Sequence, residues 1–102
     1  MRVFLSALVL LTVLTGNAAG QGGIIHGKVT DRNTGEQLAG VYVIYGKNHV
    51  TTTGQEGYYR LSSSGKLNLS FQFIGYESVT KDIILAEGDT LTIDISLEMK
   101  VK

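Results

Sequence analysis

Two histidines, a run of three serines and a scatter of tyrosines are the residues of this 102-residue chain whose types could do chemistry. A catalytic zinc ordinarily takes three protein ligands and keeps one position open. His26 and His49 do not have that spacing: three positions on stand Val29 and Thr52, where a zinc half-site would place a glutamate, and the chain has no cysteine. No metal and no cofactor is expected. Nucleophilic catalysis needs a serine, a histidine and a carboxylate brought together. Ser62-Ser63-Ser64, followed by Gly65, reads instead as a turn, because serine bonds its own backbone and glycine supplies positive φ. The expectation is a protein with no catalytic residues, not an enzyme.

The tyrosines offer a surface rather than a reaction. Tyr42 alternates away from Val41 and Val43, and Tyr58 away from Tyr59 and Leu61, which puts both on a solvent face beside Ile44. Exposed rings of this kind stack on sugars or dock against another protein. Cross-strand aromatic pairs also serve stability alone, at about 0.2–1 kcal/mol each. Tyr42, Ile44 and Tyr58 therefore form the candidate binding surface, for a partner protein, a peptide or a glycan. Nucleic acid is not an expected partner, since nine Lys+Arg face nine Asp+Glu and a phosphate-binding surface needs a basic excess.

These side chains must be positioned by strands. Leu67 to Phe73 and Leu91 to Leu97 alternate large apolar with polar residues throughout, the mark of a strand with one wet face. Val41 to Tyr45, between Gly40 and Gly46, is apolar on both faces. Shorter candidates are Ile24 to Thr30, Val50 to Thr53, Tyr58 to Ser62 and Val79 to Leu85, which makes seven strands. Turn residues separate them, at Asp31 to Gly35, Gly54 to Gly57, Ser62 to Gly65, Gly75 and Glu87 to Asp89. Strands at such spacing with turns between them read as a small sandwich or barrel. Val50 to Thr53 is an edge able to accept a further strand.

Residues 1–20 are read separately, as a signal peptide: Met1-Arg2, an uncharged apolar run from Val3 to Leu14, then Ala18-Ala19-Gly20, with cleavage before Gln21. A twelve-residue apolar run is too short for the roughly 20 residues of a membrane span and suits a leader core. The folded domain is then 21–102, exported across an inner membrane.

Gly27-Lys28-Val29-Thr30-Asp31, Thr34-Gly35-Glu36, Gly40-Val41, Gly57-Tyr58-Tyr59-Arg60-Leu61, Leu69-Ser70-Phe71, Ile74-Gly75-Tyr76 and Ile93 to Leu97 stand in the order of the carboxypeptidase-regulatory-like domain, which the chain resembles from about Ile25 to Leu97. Gln37 and Ala39 replace the usual prolines, and Gly54 the usual turn aspartate. The resemblance implies an all-β, seven-stranded transthyretin-like (prealbumin-like) Greek-key sandwich without peptidase activity. It also implies a setting in the cell envelope: a free-standing or truncated N-terminal domain of a TonB-dependent outer-membrane transporter. Such a domain would face the periplasm or be secreted, with an envelope protein or covalently linked transporter domains as partner. A secreted carbohydrate- or peptide-binding module is the alternative. Gly75 is expected to let Tyr76 fold back over the sandwich edge, and Gly27 to leave space for a ring on the facing sheet.

Overall fold

A computed structural model describes residues 22–101; the leader read at 1–20 lies outside them. Eight strands follow one another: β1 (Gly23–Asp31), β2 (Tyr42–Tyr45), β3 (His49–Thr52), β4 (Tyr58–Ser63), β5 (Gly65–Gln72), β6 (Val79–Leu85), β7 (Thr90–Thr92) and β8 (Ile95–Leu97). They form two sheets. In the first, β1 is central, antiparallel to β4 on one side and parallel to β7 and β8 on the other. The second has the order β3-β2-β5-β6 and is antiparallel throughout.

Alternation decides which side chains meet between the sheets. Along β1 every odd position is buried and every even one half-buried. The corresponding inward rows are Tyr59 and Leu61 on β4, Leu67, Leu69 and Phe71 on β5, and Ile95 and Leu97 on β8. Phe71, Ile25, Leu69, Leu85, Leu97, Val29, Val41 and Val43 are the largest fully enclosed side chains, each contributing roughly 1.5–3 kcal/mol by leaving water. The Tyr59 ring meets Phe71 edge-on at 5.4 Å, joining the two sheets.

All seven expected segments are strands, but the last is divided in two. The pairing offset does not change across the break, since Ile24 lies opposite Thr90 and Val29 opposite Ile95. What interrupts the ladder is local bonding at Ile93-Asp94. The Lys28 N–H donates to Asp94 Oδ1 at 2.9 Å instead of to a strand carbonyl. The Ile93 carbonyl accepts the Tyr59 hydroxyl at 2.6 Å. Side chains keep alternating through the break, so the pattern alone reads as one continuous strand.

Edges matter for partner choice. β6 pairs only with β5, and Lys81 stands opposite Leu69 on the inward-facing row while remaining exposed. A lysine turned inward on an edge strand opposes extension of the sheet by another chain. β3, the edge expected to accept a strand, pairs only with β2 and is four residues long.

Candidate functional site

The residues that stand out as a motif lie inside the fold and bond to each other. Asp31, at the end of β1, is buried; its Oδ1 accepts the N–H groups of Asn33 and Thr34, at 2.7 and 2.9 Å. Its Oδ2 accepts the Tyr76 hydroxyl at 2.7 Å. That hydroxyl, foremost, and the turn N–H groups hold the Asp31 carboxyl below its ordinary range against the opposing effect of burial, and the same bond raises the Tyr76 phenol. Tyr76 does fold back over the edge as expected. Gly75 permits this through backbone conformation, φ +86° with nothing near its absent side chain, in a turn closed by Tyr76 N–H to the Phe73 carbonyl.

Gly27 has a different role from the one expected. A Cβ there would overlap the Ile93 carbonyl oxygen, so the close neighbour is backbone of the β7–β8 link and not a ring on the facing sheet. A ring is nearby, but in the same sheet: Tyr59 lies directly across from Gly27 and reaches the same carbonyl. Burial, with the Asp94 charge adding to it, pushes the Tyr59 phenol well above its usual range. Thr53, in the Thr51-Thr52-Thr53 run that belongs to the family pattern, is given no role by the sequence. It is buried, donates its hydroxyl to the Leu38 carbonyl at 2.6 Å and accepts the Val41 N–H at 3.0 Å. Alternation puts Thr51 and Thr53 on the same face, Thr51 half-buried and Thr53 buried, so the pattern does not tell the two hydroxyls apart.

The candidate surface residues are exposed but do not converge. Tyr42 and Tyr58 are each 55% exposed, on outer faces of different sheets. Ile44 is half-buried between Val50 and Ser70, two positions from Tyr42 on the same face. Tyr58 lies across from Lys28, whose ammonium sits 5.3 Å from the centre of its ring. The two histidines are also apart: His26 Nε2 is 3.1 Å from Thr92 Oγ1 on the first sheet, and the His49 ring stacks on Tyr45 at the β2–β3 turn. Among the described residues no group of three or more His, Cys, Asp or Glu is placed to hold a metal ion.

One end of the sandwich carries apolar surface. Ile74 is 88% exposed at the tip of the Phe73–Tyr76 turn, and the depression beside it is lined by Tyr42, Phe73, Gly75, Tyr76 and Lys100. Met99, bridged to Tyr76, is exposed as well.

A model of the CarboxypepD_reg-like domain matches residues 25–102. The chain belongs to the CarboxypepD_reg-like domain family. Domains of this family are structural and regulatory modules, not enzymes, and the motif residues of this member fit that role, since Gly27, Asp31, Tyr59 and Tyr76 bind parts of its own backbone or each other. Among solved structures it is similar to a "putative carbohydrate binding protein" of Bacteroides uniformis ATCC 8492, with 20% identity, TM-score 0.61 and coverage of 76% of this chain and 42% of the other. It is similar also to the pilus 2b backbone protein of group B streptococcus, with 17% identity, TM-score 0.59 and coverage of 78% and 42%. The third is 3-chlorocatechol 1,2-dioxygenase of Rhodococcus opacus 1CP, with 12% identity, TM-score 0.58 and coverage of 80% and 61%. The CarboxypepD_reg-like chain thus spans less than two thirds of each. At these identities the likeness is one of fold, an all-β sandwich of two sheets. No curated protein matches the chain.

Proposed function

We propose that this CarboxypepD_reg-like domain is a docking module of the cell envelope, exported by a leader at 1–20 and associated with an outer-membrane transporter, either as a bound partner or as part of the same polypeptide. Its periplasmic placement belongs to the same reading, as does a transthyretin-like, Greek-key winding of the sandwich, which is supported by the family match and by the central β1 flanked by β4 and by β7 and β8. The observation that carries the docking role is Ile74. Position two of a turn whose third residue is a positive-φ glycine suits proline or a polar residue, yet here stands a β-branched apolar side chain that packs on nothing and borders exposed Tyr42 and the Tyr76 turn. Its exposure has no use within the domain, and a partner surface would cover it.

A photo-crosslinking residue placed at Ile74 in producing cells tests this. Crosslinks to an outer-membrane transporter, absent from the same probe at Glu56 on the Gly54–Gly57 turn, are the expected result. Equal labelling at both positions removes the proposal. N-terminal sequencing of the same material should begin at Gln21.

A second reading, glycan binding, is favoured by Tyr58 and its polar surroundings on the first sheet, together with the carbohydrate-binding description attached to one of the structures of similar fold.

A further inference from the structure

The outer face of the first sheet is an ordered array. Strand register sets three rows across it: Ser62, Ile24 and Thr90; then Arg60, His26 and Thr92; then Tyr58 and Lys28, with Asp94 beside them. Neighbouring strands stand about 4.8 Å apart and same-face residues about 6.6 Å apart along a strand, so the array has the dimensions of one or two sugar rings.

Its charge is divided. Lys28 turns its ammonium toward Tyr58 on β4, while Asp94, on the opposite side, gives Oδ1 to the Lys28 backbone N–H. The β4 side therefore gathers Arg60, Lys28 and the Tyr58 ring, with His26 directly across from Arg60. The one salt bridge among the described residues joins Arg32 to Glu98, so neither cation of this face has a carboxylate partner there. The other side offers the hydroxyls of Thr90 and Thr92 and the second Asp94 oxygen. Of the large apolar side chains that are exposed, only Tyr58 belongs to this face; Tyr42, Val50, Ile74, Ile84, Met99 and Val101 lie elsewhere.

We propose that this face binds an acidic glycan, a chain bearing uronate carboxylates. Arg60 takes a carboxylate through its planar fork, Lys28 supplies a second charge, Tyr58 underlies a ring, and Thr90, Thr92 and Asp94 bond to sugar hydroxyls. The chemistry selects against a membrane, which would require apolar side chains to insert, whereas Tyr58 is the one exposed large apolar side chain of this face. The inference rests on the glycan reading and adds to it the charge of the ligand.

The test is a titration of the isotope-labelled protein with galacturonic acid tetramer, its methyl ester, and phosphatidylglycerol vesicles, followed by amide shifts. The expected result is saturable shifts confined to β1, β4 and β7 with the free acid. Binding should be weaker by about tenfold or more with the methyl ester and in Arg60→Gln, the loss expected for one charge-assisted contact, and should weaken with added salt. Arg60 is exposed and makes no side-chain bond among the described residues, so the variant keeps the fold and its unbound spectrum verifies this. Equal binding of acid and ester leaves glycan binding standing and overturns the charge recognition. No shift with either sugar overturns both. Vesicle binding lost in Arg60→Gln overturns the proposal in favour of a lipid headgroup.

Discussion

Replacing Thr53 by valine isolates one buried polar contact from the apolar packing around it. The two side chains have nearly the same shape, so no cavity opens, but the hydroxyl that donates to the Leu38 carbonyl and accepts the Val41 N–H is lost. Val41 is fully buried and Leu38 nearly so, so water does not readily replace the lost partner. An orphaned buried donor or acceptor costs about 1–3 kcal/mol. With two affected and some relief from the added methyl, the expected loss is about 2–4 kcal/mol, a large part of the roughly 4–12 kcal/mol available to a domain of this size. A domain of 60–100 residues shifts its Tm by about 4–8 °C per kcal/mol, so a fall of about 8–32 °C should be visible by circular dichroism. Urea unfolding should show a lower midpoint at unchanged slope. Thr53→Ser, which keeps the hydroxyl, should lose only about 1 kcal/mol for its missing methyl. If valine and serine destabilise equally, the hydroxyl is not what clamps the Leu38–Val41 loop to β3, and the reasoning fails.

Two further outcomes follow from the motif residues. Gly27→Ala forces a methyl into the Ile93 carbonyl and must displace the β7–β8 link, costing at least the roughly 1–3 kcal/mol of an overpacked core; proteolysis near Asp94 should accelerate, and an unaltered cleavage rate contradicts the contact. Asp31 has its folded-state pKa lowered, chiefly by the Tyr76 hydroxyl. A depressed carboxylate contributes stability that is present above its unfolded value of about 3.9 and is lost as pH falls through the folded value. Tyr76→Phe should therefore lower the Tm above about pH 4 and flatten its decline on the acid side, whereas parallel Tm–pH curves would show that the bond does not perturb Asp31.

Much of this architecture was legible because inward and outward positions in a half-buried sheet must differ in polarity. That constraint writes itself into Leu67–Phe73 and Leu91–Leu97, and the turn residues between strands mark where the chain reverses. Family membership was legible for a related reason: Gly27, Asp31, Tyr59 and Tyr76 each satisfy a specific backbone contact, and such contacts restrict residue type at fixed places. Alternation was silent about the break at Ile93-Asp94, because the side chains keep their period while the hydrogen bonds change partners. It was silent as well about Thr53, whose value depends on two carbonyl and amide groups brought to it from a distant loop.

The candidate surface shows the same division. Exposure of Tyr42 and Tyr58 follows from their position in an alternating segment and needs no tertiary knowledge. Which of them share a face is a property of strand order, and strand order puts Tyr42 on the β3-β2-β5-β6 sheet and Tyr58 beside β1. Only the assembled sheet sets Arg60, His26 and Thr92 in one row, since those residues come from three separate stretches of chain whose register is fixed by backbone hydrogen bonds and core packing. Local sequence determines which way a side chain points; the pairing of distant strands decides what it stands next to.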